Sequence, residues 1–154
     1  MAGTIDARLS ELGITLPDAP APAANYVPFV QTGSLVFISG QISRNDAGLM
    51  TGKLGAEVSV EAGQAAAREC ALALVAQVKA ACGGDLDRVV RVVKLTGFVN
   101  AAPEFSDHPK VINGASDVIA EIFGAAGHHA RAAVGCGSLP LNVSVEVEGV
   151  FEIA

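Results

Sequence analysis

Tryptophan is absent from this sequence, tyrosine occurs once, at position 26, and Lys and Arg together number 10 against 16 Asp and Glu. The resulting net charge of −6 opposes binding to a phosphate backbone, which depends on clustered cations that release counterions. No basic run occurs, and a base-stacking platform would have to come from the six phenylalanines, most of which sit in core-like patterns. No nucleic-acid partner is expected. The three cysteines, Cys70, Cys82 and Cys136, are an odd number without CxxC spacing, which points to neither a disulfide framework nor a zinc cluster. They read as buried small hydrophobes. No stretch reaches the roughly 20 apolar residues of a membrane span without Gly, Pro or charge. The opening MAGTIDARLSELG has acids where a signal peptide has a basic end and an apolar run. A cytoplasmic protein with no membrane partner is expected.

What the chain does carry is apolar load. Its 154 residues suffice for one domain with a proper core. Of them 51% are hydrophobic and only 17% charged, with a mean hydropathy of +0.44. A small monomer has too few polar groups to cover that much apolar surface, so part of it is expected to meet another subunit.

The stretch 127–151, GHHARAAVGCGSLPLNVSVEVEGVF, organises the reading. Val143, Val145 and Val147 alternate with Ser144, Glu146 and Glu148, which predicts a strand whose carboxylates share one face. Arg131 is flanked by Ala130, Ala132, Ala133 and Val134, a run that reads as a second, largely buried strand, so its guanidinium needs partners. Residues 138–142 supply turn chemistry between the two runs and predict an antiparallel pairing that brings Arg131 and a glutamate onto one sheet. Two meanings stand about evenly at this point: an internal Arg–Glu ion pair that only fixes packing, and an anion-binding site.

Before this stretch, residues 5–12 carry a short amphipathic pattern at Ile5, Leu9 and Leu12. Prolines 17, 20, 22 and 28 then enforce an extended arm, which lies over the body or over a neighbour. Two apolar runs around Thr32-Gly33-Ser34 predict a hairpin, and Ser39-Gly40-Gln41 closes its second strand. A small hydroxyl residue followed by glycine reads first as a bulge or turn, and second as a place where a ligand approaches closely. Residues 44–55 read as a surface loop with one short strand. Ser59 caps a long helix with a small-residue face that ends at Gly83-Gly84. The valine-rich 89–99 is a central strand. Ser106 or Asp107 starts a second helix, with Pro109 in its first turn and Ile112, Ala115, Ile119, Ile122 and Phe123 as its stripe. Asn113 is off that stripe. The order predicts an α+β sandwich, with the helices on one face of a mixed sheet and the carboxylates Glu146 and Glu148 on the other, at an interface between chains.

Several segments, taken together and in order, resemble the YjgF, or Rid (reactive intermediate deaminase), family, older labels for which are L-PSP endoribonucleases. They are Asn25-Tyr26-Val27, Val36-Phe37-Ile38-Ser39-Gly40-Gln41, Val93-Lys94-Leu95 with Phe98-Val99, Asn113, Ala130-Arg131, and Leu139-Pro140 followed by Val145-Glu146-Val147-Glu148. The resemblance runs from about Tyr26 to the C-terminus, which gives an N-terminal helix and arm over 1–25 and a single domain over 26–154. It implies a chorismate-mutase-like α+β fold, with two main helices on one face of a mixed sheet, a homotrimer, and pockets at the subunit interfaces. It implies hydrolysis of 2-imino or enamino acids, such as 2-aminoacrylate, to the 2-keto acid and ammonium without cofactor or metal. The substrate is then a small carboxylate-bearing imine. Arg131 falls on the family's carboxylate-binding arginine and Glu146, fifteen positions later, on its water-positioning glutamate. Tyr26, Ser39 and Gly40 match pocket residues, and Asn113 a supporting asparagine.

A planar guanidinium grips a carboxylate bidentately and so orients the imine carbon, and a glutamate beside it can prepare water for attack. The alternative in a different class is a trimeric protein that binds small carboxylates without turning them over. The chain departs from the well-studied deaminases around Arg131, with His128-His129 before it and Ala132-Ala133 after it, and it resembles a distinct branch. Adjacent histidines on a strand point to opposite faces, so they read as one packed and one solvated rather than as a metal pair. His108 reads as solvated and Glu148 as a neighbour that tunes charge.

Overall fold

A serine at 59 starts the longest helix of the computed structural model, which describes residues 3–19 and 25–154. The Ser59 hydroxyl accepts the Ala62 N–H at 3.1 Å, a cap worth about 1 kcal/mol, and Glu61 follows in the first turn, where the helix dipole favours an acid. This helix, α2 (Val60–Ala81), runs to Gly83 and Gly84, whose φ values of +66° and +97° end it in the left-handed region that glycine tolerates. A shorter helix, α1 (Thr4–Glu11), precedes it, and α3 (His108–Phe123) follows. In α3 Pro109 sits in the first turn, while Asp107 occupies the cap position without capping and pairs with Lys110 at 3.5 Å.

The strands form one five-stranded sheet and a small hairpin. Two residues, Gly33 and Ser34, join β1 (Phe29–Thr32) to β2 (Leu35–Ile42), with Gly33 at φ +59°. Residues 44–55 hold the short pair β3 (Arg44–Asn45) and β4 (Gly48–Leu49) instead of a single strand. With β5 (Val89–Asn100), β6 (Ala130–Cys136) and β7 (Val145–Ile153), the large sheet has the order β1-β2-β7-β5-β6.

This order corrects the expectation that the strands of Arg131 and Glu146 pair directly. β6 runs parallel to β5, and β5 lies between it and β7. The reason is α3, the long crossover that a parallel β5–α3–β6 unit requires and that sets β6 down beside β5. β6 is consequently an edge strand in which every residue is half-buried or exposed, and Arg131 is only half-buried, not enclosed as its apolar neighbours suggested. Residues 137–144 return the chain over the sheet end. Lys53 Nζ fixes this return by donating to Asn100 Oδ1 (2.8 Å) and to the Gly137 carbonyl, and Asn100 Nδ2 donates to the Val143 carbonyl (3.1 Å).

The core lies between the sheet and the two main helices. Val36, Leu95, Val99, Val145, Val147 and Phe151 are inaccessible to solvent, and so are Ala67, Cys70, Leu74 and Val78 of α2 and Ile112, Ala115 and Ile119 of α3. Phe151 stacks edge-on against Phe123 with centroids 6.3 Å apart. Small residues let the helices meet: a Cβ on Gly114 would run into the Gln64 backbone, and one on Gly97 would lie 2.5 Å from the Ile112 side chain. α1 docks on the same body. Asp87 accepts the Thr4 and Ile5 N–H groups (2.9 Å each), Lys79 pairs with Asp6 (3.0 Å), and Ile14 and Leu16 of the arm pack against the core. The arm thus lies over its own body at these residues, while Pro20 and Pro22 lie outside the described residues.

Among the described residues no element covers the other face of the sheet. Val30, Phe37, Val150 and Lys94 stand side by side across four strands, and Val30, Phe37 and Val134 are exposed. On β7 the alternation holds: Val145, Val147, Gly149 and Phe151 face the helices and Glu146 and Glu148 face away. Ser144 precedes the strand and is buried, donating to the Gly52 carbonyl at 3.0 Å.

Candidate active site

Arg131 pairs in register with Leu95, a residue buried beneath the helices, so its side chain emerges on the helix side at the open edge of the sheet. There α3 meets it. Nη1 donates to Asn113 Oδ1 (2.8 Å) and to Ser116 Oγ (3.2 Å), which uses both of its hydrogens, and Nη2 donates to the Pro109 carbonyl (3.4 Å). Every one of these acceptors is neutral. Ion pairs among the described residues are Arg8–Glu11, Lys79–Asp6 and Lys110–Asp107. The internal Arg–Glu pair is therefore not made, and the charge of Arg131 is held without being compensated.

Glu146 occupies the opposite face, in register with Phe98 of β5 and Ile42 of β2. It lies over Gly40: a Cβ added there would sit 2.5 Å from Glu146 Oε2. Ser39 and Gly40 form a bulge in β2, as the register passes from Ile38–Gly149 to Gln41–Val147 and leaves two residues opposite Glu148. The bulge and the missing side chain together make room for the carboxylate. Partial burial raises the pKa of Glu146 above the ordinary carboxylate value, and the nearby charge of Glu148 adds to the rise.

Ser39 Oγ donates to the Val27 carbonyl (2.8 Å) and Ser39 N–H to the Pro28 carbonyl (2.9 Å), tying the incoming chain to β2. Tyr26 precedes this tie and is 51% exposed. The six candidates thus fall into two groups, Arg131 with Asn113 on the helix side and Glu146 with Gly40, Ser39 and the adjoining Tyr26 on the open side. Arg131 and Glu146 are two strands apart, about 10 Å, and their partners on β5 are three residues apart, about another 10 Å. With the sheet between them, one chain does not bring them together.

Two residues were not singled out from sequence for Arg131. Ser116 is one, and the signal for it was its spacing: three positions after Asn113, it shares that residue's helix face. The other is His129. Its Nδ1 lies 2.6 Å from the Gly127 carbonyl and its Nε2 2.9 Å from Ser116 Oγ. Burial lowers its pKa below the ordinary imidazole value against the raising effect of the Gly127 bond, and the charges of Arg131 and His128 also lower it. His128 is exposed, as the reading of one packed and one solvated histidine expects, although both precede β6 rather than lie in it. His108 is half-buried, not solvated: it stacks edge-on with Phe105 at 5.2 Å and fills the space a Cβ on Gly135 would need. Cys70 and Cys82 are buried as expected, whereas Cys136 is half-exposed because it ends the edge strand. Among the described residues no helix is long and apolar enough to cross a membrane.

Comparison with known proteins matches residues 6–152 to the family described as YjgF/chorismate mutase-like, whose description also carries an endoribonuclease label. The chain is 53% identical over 154 residues to protein TCP17 of Trypanosoma cruzi, covering 99% of this chain and 96% of that protein. It is 30% identical to the 2-iminobutanoate/2-iminopropanoate deaminase of Dermatophagoides farinae, covering 91% and 94%. Among solved structures it is similar to Atu1372 of Agrobacterium tumefaciens, with a TM-score of 0.90 and 50% identity over 97% of this chain and 92% of that one. The match takes in α1 and the arm as well as the part from Tyr26 on that the quoted segments covered. With this fold, this strand order and a match over nearly its whole length, the chain belongs to the YjgF/chorismate mutase-like family.

Proposed function

We propose that the protein hydrolyses 2-imino and enamino acids, such as 2-aminoacrylate, to 2-keto acids and ammonium, in pockets between the subunits of a cytoplasmic homotrimer. The observation that carries this reading is the uncompensated charge of Arg131, held in place by neutral acceptors at an open sheet edge. That is the arrangement of an anion site rather than of a structural ion pair. Relatives that include a 2-iminobutanoate/2-iminopropanoate deaminase support the chemistry.

In this reading Arg131 of one copy faces Glu146 of another, since the sheet separates the two within a chain, and the exposed Val30, Phe37 and Val134 belong to the surface where copies meet. The guanidinium takes the substrate carboxylate and fixes the imine carbon. Glu146 takes a proton from water as its oxygen bonds to that carbon, and the C=N π electrons move to nitrogen. Glu146 passes that proton to the nitrogen, the C–N bond breaks as Glu146 takes the proton of the carbinol hydroxyl and the C=O bond forms, and the departing ammonia collects that proton and leaves as ammonium. The protonated imine is itself the electrophile, so this chemistry needs no cofactor or metal. Tyr26, Ser39 and Gly40 line the Glu146 side of the pocket and Asn113 braces Arg131.

The test is release of keto acid and ammonium from freshly generated imino acids. Wild type accelerates it and Arg131→Ala does not, while Glu146→Gln still binds pyruvate but loses turnover. Wild-type protein that binds pyruvate without accelerating hydrolysis of any imino acid would be a carboxylate-binding protein instead.

A further inference from the structure

We infer that Ser116 and His129 are positioning residues for Arg131, acting as a two-step relay that fixes the direction of its guanidinium and so sets affinity for the substrate carboxylate. This deepens the proposal above and rests on its assignment of Arg131 to the anion. The argument begins at Gly127, whose carbonyl can only accept. His129 Nδ1, 2.6 Å away, must therefore carry a hydrogen. Burial favours the neutral ring against the raising effect of the Gly127 bond, and Arg131 and His128 are the charged or titratable groups that add to burial; in the neutral ring with its hydrogen on Nδ1, Nε2 holds a lone pair.

Ser116 Oγ, 2.9 Å from that lone pair, donates its single hydrogen there. Its oxygen is then oriented to accept, and it accepts Arg131 Nη1 at 3.2 Å. Each donor in the chain has one available acceptor, which leaves a single arrangement from the Gly127 carbonyl to the guanidinium. Asn113 takes the second Nη1 hydrogen, and Pro109 one from Nη2. Nε–H and the remaining Nη2 hydrogen are left without a partner among the described residues. Two donors are what a carboxylate takes in a bidentate pair. Without the relay Nη1 keeps only Asn113, and the guanidinium is free to turn about it, so ordering it falls on the ligand as an entropic cost.

The experiment measures pyruvate affinity and steady-state constants for wild type, Ser116→Ala, His129→Leu, the double variant and Arg131→Ala, with melting temperature as a fold control. Ser116→Ala and His129→Leu are expected to weaken pyruvate binding and raise KM by roughly three- to tenfold, the span of one lost hydrogen bond, with kcat nearly unchanged. The double variant should be no worse than the weaker single one, because both cut the same chain. Ser116→Thr and His129→Gln, which keep a hydroxyl and an acceptor at those points, should restore most of the loss. The Arg131 Nη resonances, distinct and slowly exchanging in wild type, should merge in Ser116→Ala. Wild-type affinity in both single variants alongside lost binding in Arg131→Ala would overturn the relay and leave the anion site standing. Fully additive losses would show that Ser116 and His129 do not act through one another and would also overturn it. Undiminished binding by Arg131→Ala would overturn the assignment of the anion to Arg131 itself.

Discussion

Glu146 rests its carboxylate where the side chain of residue 40 would be: a Cβ on Gly40 would lie 2.5 Å from Glu146 Oε2 and 3.0 Å from its Cδ. The φ of Gly40 is not in the left-handed region, so glycine is needed here for space rather than for backbone freedom. Gly40→Ala should push the far end of Glu146 aside. Since that end is flexible and half-exposed, the fold should survive with a melting temperature close to wild type, while kcat for imino-acid hydrolysis falls by about tenfold or more, as expected for a displaced base. Steady-state rates with a parallel melting curve check this, and an unchanged kcat would remove Glu146 from the mechanism.

The pH dependence follows from the surroundings of the same carboxylate. A base must be ionised, so the rate should fall as pH drops through the pKa of Glu146. Burial first and Glu148 second raise that pKa, which places the acid limb of kcat/KM above the ordinary carboxylate range. Glu148→Gln removes one raising cause and leaves the larger one. The limb should therefore move to lower pH without reaching the value of a free glutamate. A limb that moves up, or not at all, would contradict the coupling between the two carboxylates.

Packing of the two helices gives a prediction that is independent of chemistry. At Gly114 the neighbour is Gln64 backbone, which cannot step aside as a side chain can. Gly114→Ala should part α2 from α3 and destabilise the fold by about 1–3 kcal/mol despite alanine's better helix propensity. Urea unfolding would show the loss as a lower midpoint at constant slope.

Thiol labelling separates the cysteines by their place in the sheet. Burial, with the charges of Glu146 and Glu69 adding to it, pushes the Cys70 thiol far above its ordinary pKa, whereas Cys136 is half-exposed at the end of the edge strand. In native protein a maleimide should modify Cys136 first and reach Cys70 only on unfolding. Mass spectrometry of the labelled peptides gives the order directly.

Much of this was legible in the chain because it depended on local spacing. Ser59 before a small-residue periodicity, Gly33-Ser34 between two apolar runs and the valine alternation around Glu146 each act over a few residues. Arg131 and Glu146 stood out as candidates by residue type within an apolar stretch, and Asn113 entered through the family resemblance. What the spacing could not convey was adjacency. Residues 138–142 look like a hairpin turn, and orientation alone gives β6 and β7 as antiparallel, which they are. Their separation by β5 follows from α3, which crosses over and lays β6 beside β5 in parallel.

The sequence by itself determined which elements form, which face of each is apolar, and that one arginine and two glutamates stand out in an apolar stretch. These depend on side-chain period and on caps and turns, all of them short-range. Only the tertiary structure decided that Arg131 and Glu146 lie on opposite faces of the sheet, that neutral groups of α3 hold the arginine, and that His129 reaches it through Ser116. A one-residue change of register would exchange the faces, and only the packing of α3 on the sheet fixes which residue meets Arg131, because the contacts join it to residues fifteen to twenty-two positions away in the chain.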